Sequence, residues 1–341
     1  MPIQFERREK VARYVDAQTG EEHGITCELR RDPLTGHSGR VAHVLGFRLH
    51  PVDFAPMIEA SRHHCPFCPE RILSVTPRFP AEIVPEGRIH CGEAVVFPNL
   101  APYDQHSAVV AMTHEHYVPL SGFSDPILRD SFAACLDYFR AVQRLSDTPY
   151  ALIFWNYLPA SGGTQIHPHL QAFVTDTPGN ALEDELAAGL RYYQSEGRPY
   201  WNDLVHEEVQ LGERFIARGS HTVWLTSFVS QSLLADTLVI FPERRTATAL
   251  TEADIAEFCI GLGQTLRHFE TQGIYSFNLA LFSATPDRED FRVHARISPR
   301  VYMTPRIWGT DTSALQHLYG EHFMVRTPEA AAQDLRAALN L

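Results

Sequence analysis

His167-Pro168-His169-Leu170-Gln171 places two imidazoles and one neutral amide within five residues. The stretch follows an apolar run, Ala151 to Trp155, and a small-residue loop, Ser161-Gly162-Gly163-Thr164. In an extended strand alternate side chains share a face, so His167, His169 and Gln171 point the same way. An imidazole attacks phosphorus without first losing a proton from a high pKa, as a serine must. A loop of small residues can turn backbone N–H groups toward phosphate oxygens. Gln171 can donate to such an oxygen but cannot act as a base toward water. The pattern points to transfer of a phosphorus-bearing group rather than to hydrolysis. Taken alone, His-x-His reads first as a metal pair or as two polar residues on an exposed strand; its surroundings change that balance.

The elements around it occur twice. The first set is a strand at 94–97, a strand at 108–111 and a helix opened by Asp125-Pro126, with Ile127, Leu128, Phe132, Leu136, Phe139 and Val142 on its apolar face. The strand at 151–155, the glycine loop and the histidine strand follow. The second set is a strand at 222–225, a strand at 237–240 and a helix capped by Thr251 with Asp254 in capping-box position. Gly273 stops that helix, and strands at 276–282 and 291–297 follow. The step from helix cap to first histidine, Asp125 to His167 and Thr251 to His294, agrees within one residue. This predicts duplication of one α+β unit. The second copy reads His294-Ala295-Arg296-Ile297-Ser298, so it is expected to be a structural partner, with Arg296 as its candidate for ligand contact. The predicted organisation is an N-terminal extension with few clear elements (1–60), a first half (61–177), a partly helical linker (178–210), a degenerate second half (211–305) and a C-terminal tail and helix (306–341).

The chain of 341 residues carries a net charge of −12, which excludes a nucleic-acid backbone as partner. Lys10 is the only lysine, so any cationic phosphate clamp in the body of the protein must be arginine. The N-terminus has no apolar signal region and no run approaches a membrane span, so the expected location is the cytoplasm. Of six cysteines only Cys65 and Cys68 are closely spaced. Cys65-Pro66-Phe67-Cys68 reads as a metal knuckle rather than a disulfide framework, with His63, His64, His114, His116 and His167 as candidate partners. A metal on His167 would position His169 without joining the reaction.

Together these motifs resemble the galactose-1-phosphate uridylyltransferase branch of the histidine-triad superfamily. Arg31-Asp32-Pro33-Leu34-Thr35-Gly36 is similar to that family's N-terminal signature, Cys65-Pro66-Phe67-Cys68 to its zinc knuckle, and His167-Pro168-His169 with Gln171 to its active-site signature. The resemblance implies an α+β fold: two histidine-triad-like halves sharing an antiparallel sheet with flanking helices. It implies structural Zn2+ on Cys65, Cys68, His116 and His167, His169 as the nucleophile that takes up a nucleoside monophosphate, and Gln171 as a phosphate contact. Asn99, Asn156, Ser161, Gly162, Gly163, Thr164 and Arg48 would line the substrate, a nucleotide-sugar or other nucleotide, in a homodimer. The sequence departs from the family at Leu45, where an arginine is expected, at Ala280 and Arg296, where a second metal site has histidines, and in lacking a C-terminal lysine. The expected activity is nucleotidyl transfer from a nucleotide-sugar to a sugar 1-phosphate or inorganic phosphate. A dinucleoside-polyphosphate phosphorylase or histidine-triad hydrolase, and a non-catalytic nucleotide-binding protein, are the alternatives.

Overall fold

The computed structural model describes residues 3–42, 47–304, 306 and 308–341; Leu45 lies outside them. In chain order the strands of the first half of the sequence are β1 (Arg7–Val15), β2 (Glu22–Arg31), β3 (Ser38–Ala42), β4 (Ile89–Cys91), β5 (Ala94–Pro98), β6 (His106–Ala111), β7 (Tyr150–Tyr157) and β8 (His169–Thr175). Those that follow are β9 (Phe215–Arg218), β10 (Val223–Thr226), β11 (Thr237–Ile240), β12 (Ser276–Phe282), β13 (His294–Arg300), β14 (Tyr302–Thr304), β15 (Gly309–Thr310) and β16 (His322–Met324). The helices are α1 (Ala55–Arg62), α2 (Pro69–Val75), α3 (Asp125–Gln143), α4 (Asn180–Glu196), α5 (Tyr200–Leu211), α6 (Glu252–Thr271), α7 (Ala314–Tyr319) and α8 (Pro328–Arg336). None of the helices described is long and apolar enough to cross a membrane.

Ten strands form one sheet in the order β4-β5-β6-β8-β7-β12-β13-β11-β10-β9, antiparallel throughout. The order is symmetric about the β7–β12 seam, where Asn156 pairs with Asn278 and Phe154 with Ala280. The two halves therefore share one sheet. Period-2 alternation sends Ile153, Trp155, Leu170 and Ala172 on one side, and Leu279, Leu281, Ala295 and Ile297 on the other, into a common core under α3 and α6. Phe132 of α3 meets Phe258 of α6 edge to face at 5.2 Å, joining the two helices. The opposite face differs between halves. In the second half α4 and α5 cover it with Leu186, Tyr200, Trp201 and Leu204. In the first half, among the described residues, Phe67 and Ile72 pack on Val95, Phe97, Val109 and Ala111.

Register corrects the sequence alignment of the halves. Ala111 pairs with His169, and Ile240 pairs with His294. Just beyond, Met112 N–H donates to Pro168 and Phe241 N–H to Val293. His294 is thus the counterpart of His169, not of His167, and Arg296 is the counterpart of Gln171. Counting from the helix caps slips because residues 144–149 separate α3 from β7 while only 272–275 separate α6 from β12.

Other expectations shift as well. His167 lies in the bend before β8, so of the three residues His169 and Gln171 alone lie on that strand. Ser124, not Asp125, is the cap residue of α3, and the last strand of the second half starts at His294. The region 178–210 is largely two helices, and the N-terminal residues form three strands, of which β3 pairs with β16. The capping box of α6, Thr251 with Asp254, is as expected.

At Gly261 of α6 the helix lies close against the sheet: a Cβ there would stand 2.3 Å from the side chain of Trp224, which is fully buried. Gly261→Ala should therefore destabilise by about 1–3 kcal/mol through overpacking, despite the gain of about 1 kcal/mol in helix propensity. A lower urea midpoint at unchanged slope is the expected readout.

Candidate active site and metal centre

Cys65 follows the end of α1, Cys68 immediately precedes α2, His116 comes from the loop after β6 and His167 from the bend before β8. All four are buried, and their donor atoms lie within 4.8 Å of one another. His167 Nδ1 stands 3.6 Å from Cys65 Sγ and 3.7 Å from Cys68 Sγ, and His116 Nδ1 stands 3.5 Å from Cys68 Sγ. A tetrahedral ion bound about 2.3 Å from sulfur and about 2.0–2.1 Å from nitrogen spans S···N edges of about 3.6 Å, so the residues fit such an ion. The second nitrogen of each ring agrees. His167 Nε2 donates to Thr113 O at 2.8 Å and His116 Nε2 faces Ile58 O at 3.2 Å, which leaves both Nδ1 lone pairs for the metal. Burial pulls the His167 pKa down to about 4, keeping the ring neutral. Burial, with Cys65 beside it, pushes the Cys68 thiol up to about 12 in the absence of a cation. Four protein ligands would close a tetrahedral site, so the metal's contribution would be structural. His63, His64 and His114 are exposed and lie outside the cluster.

His169, 7% exposed, opens β8 two residues on. Its Nδ1 lies 2.9 Å from the His167 carbonyl. A carbonyl only accepts, so Nδ1 carries the proton and Nε2 keeps its lone pair. Burial holds this ring's pKa below the usual histidine value, against the opposing pull of the His167 carbonyl. Phe67, inside the knuckle, packs on the His169 ring at 5.4 Å and edge-on to His167 at 6.0 Å. Sequence reasoning missed Phe67, although its place between the two cysteines was visible.

Asn99 Nδ2 donates to Gln171 Oε1 at 3.4 Å, while Asn99 Oδ1 accepts from Ala101 N–H at 3.0 Å. The backbone donor sets the Asn99 amide, Asn99 sets Gln171, and the Gln171 NH2 is left to face outward. Asn156 lies on the same open face, two residues beyond Phe154, where the β7–β8 ladder ends opposite Gln171. The glycine loop turns at Leu158, whose φ is 66°. Gly163 has no room for a side chain, since a Cβ would stand 2.7 Å from Asn156 O. Gly162 and Thr164 are exposed. Ser161 is buried and its hydroxyl donates back to the loop, facing Tyr157 O at 2.9 Å and Leu158 O at 2.8 Å. Its hydroxyl is therefore engaged by carbonyls at the end of β7 and in its own loop. Arg48 is exposed between Phe47 and Leu49, which pack on the core, and it has no hydrogen bond or ion pair among the described residues.

In the second half His294 keeps the backbone contact of His169: its Nδ1 lies 3.0 Å from Arg292 O. Here the ring is sealed. Trp201 stacks on it at 4.1 Å and Phe282 at 4.8 Å, and Nε2 stands 3.2 Å from a Glu185 oxygen. Arg296, in the place of Gln171, lies 3.6 Å from Glu185 and 3.7 Å from Asp236 and donates to Ser227 Oγ at 3.1 Å.

Paired halves on one antiparallel sheet, with a Cys2His2 cluster anchoring the strand of a histidine in one half, define a duplicated histidine-triad-like protein. No protein-family model matches the chain. An uncharacterised protein of Archaeoglobus fulgidus is 30% identical over 335 residues, 98% of each chain. A galactose-1-phosphate uridylyltransferase of Streptomyces lividans is 28% identical over 321 residues, 87% of this chain and 83% of its own. The structure of an ADP-glucose phosphorylase from Arabidopsis thaliana with bound ADP-glucose matches in fold with a TM-score of 0.72 at 17% identity, covering 92% of this chain and 100% of its own. In sequence and fold the chain is similar to the galactose-1-phosphate uridylyltransferase-like branch of the histidine-triad superfamily.

Metal analysis of the purified protein should find about one zinc per chain, as a closed four-ligand site requires. Cys68→Ser and His116→Ala should each lose it with a fall in thermal midpoint. His169→Ala should keep both the metal and the midpoint.

Proposed function

We propose that the protein transfers a nucleoside monophosphate from a nucleotide-sugar to a phosphate-bearing acceptor through a covalent nucleotidyl-His169 intermediate. The observation that carries this reading is the contact between His169 Nδ1 and the His167 carbonyl. With Nδ1–H held by the His167 carbonyl, Nε2 presents a lone pair beside the outward-facing amide of Gln171. In the first step Nε2 attacks the α-phosphorus in line. The P–N bond forms, the P–O bond to the sugar phosphate breaks, and the sugar 1-phosphate leaves with the electron pair. The Gln171 amide donates to a non-bridging oxygen as charge develops there. In the second step a phosphate oxygen of the acceptor displaces Nε2 and restores the neutral ring. Gln171 cannot deprotonate water, which favours an acceptor that is already anionic.

The acceptor is a sugar 1-phosphate or inorganic phosphate. Both fit the activities by which similar proteins are named, a uridylyltransferase and an ADP-glucose phosphorylase. The role proposed for the Cys65, Cys68, His116 and His167 cluster is to hold the strand start that positions His169.

Intact-protein mass spectrometry after incubation with UDP-, ADP- and GDP-hexoses and diadenosine polyphosphates tests the reading. A mass gain of one nucleoside monophosphate, absent in His169→Ala, is the expected result, and the donor that loads names the base. Adding sugar 1-phosphate or inorganic phosphate to the loaded protein then identifies the acceptor by which one discharges it. Turnover in Gln171→Ala should fall by about 10²–10³, the usual cost of losing one donor to a developing oxyanion. Undiminished turnover in His169→Ala would sink the mechanism.

A further inference from the structure

The second half reaches the open face through one chain of side chains across the seam. Asn278 of β12 pairs in register with Asn156 of β7. Its Nδ2 donates to Asn156 Oδ1 at 2.6 Å and to the Ser161 carbonyl at 2.9 Å. Its Oδ1 accepts from Arg300 NH1 at 2.7 Å. Arg300 is in turn clamped by Asp311, with Nε 3.0 Å from each carboxylate oxygen. Asp311 is 6% exposed and also accepts from Val301 N–H at 3.1 Å.

An amide can point either way, but a guanidinium can only donate. Arg300 therefore forces the oxygen of Asn278 toward itself and its NH2 toward Asn156 and the loop. The Ser161 carbonyl, which can only accept, demands the same orientation. Asn156 must then offer its own oxygen to Asn278, and its NH2 is left for the open face that carries His169. We infer that Asn278, Arg300 and Asp311 are positioning residues contributed by the second half, which fix the polarity of the Asn156 amide so that it presents a hydrogen-bond donor to the phosphate group of a bound nucleotide. This rests on the reading of the His169 face as the nucleotide site.

The relay makes a prediction that packing alone does not. Asn278→Asp keeps the shape but replaces the donor by an acceptor; the Asn156 amide then turns over and sets its oxygen against the phosphate. Arg300→Met frees the orientation of Asn278, whereas Arg300→Lys keeps a pure donor in place. The probes are UDP, ADP and GDP, with binding measured by calorimetry in the His169→Ala background and adduct formation measured separately in the otherwise unaltered chain. Asn278→Asp and Arg300→Met should each weaken binding of the preferred nucleotide about tenfold, the size of one hydrogen bond to a charged group. Arg300→Lys should recover most of that loss, and thermal midpoint and metal content should stay level across Arg300→Lys and Asn278→Asp. Unchanged affinity in Asn278→Asp, or an equal loss in Arg300→Lys and Arg300→Met, would overturn the relay. If Asn278→Asp does not fold, the Arg300 pair decides alone. Binding that follows the relay pattern without any adduct would uphold the relay and defeat the transfer mechanism; no affinity for any of the three nucleotides would defeat both.

Discussion

The site depends on a single imidazole held at both nitrogens. His167 has Nδ1 among Cys65, Cys68 and His116, and Nε2 on the Thr113 carbonyl. A ring pinned at both ends fixes the backbone that carries it, and that backbone supplies the carbonyl on which His169 rests. The knuckle thus sets the tautomer of His169 through one peptide group, with no direct bond to the second ring. Phe67 adds a wall over both imidazoles from within the same knuckle. The Cys65, Cys68, His116 and His167 cluster, the strand start and the His169 ring form one contiguous unit.

A second organising feature is amide polarity. On one side of His169 a backbone N–H orients Asn99, which orients Gln171. On the other a guanidinium orients Asn278, which orients Asn156. Each series starts from a group that can only donate and reaches the open face through neutral amides. In partly buried surroundings such series resist inversion, because turning one member leaves opposed dipoles or unpaired groups at both of its contacts. The sheet thereby offers donors rather than formal charge beside His169, which suits a protein whose overall charge is strongly negative.

Much of this was legible in the residues. The apolar run at 151–155 and the strand read at 276–282 marked the seam strands, the helix face from Ile127 to Val142 was periodic, and the CxxC spacing marked the knuckle. What escaped reading depends on register between distant strands. Asn278 and Arg300 carry no local signal; they matter because β12 lies against β7 and β13 against β12. The alignment of His294 with His167 failed for a similar reason, since counting along the chain cannot see a connection that is longer in one half. The direction of the Ser161 hydroxyl was hidden because a tight turn can satisfy itself with its own carbonyls. The N-terminal strands were missed because β1 is exposed along its length and so lacks the hydrophobic alternation that marks a half-buried strand.

The sealed half shows how a duplicated fold can diverge without rebuilding its scaffold. His294 retains the strand position and the backbone contact of His169, yet an indole and a carboxylate stand where the first half is open. The added helices, not altered strands, make the difference: α4 and α5 act as a permanent internal occupant. A comparison of the two strands alone would count two equivalent imidazoles, whereas solvent reaches the outer nitrogen of only one. Asymmetry between the halves is therefore a property of coverage, and the sheet beneath them remains symmetric in strand order.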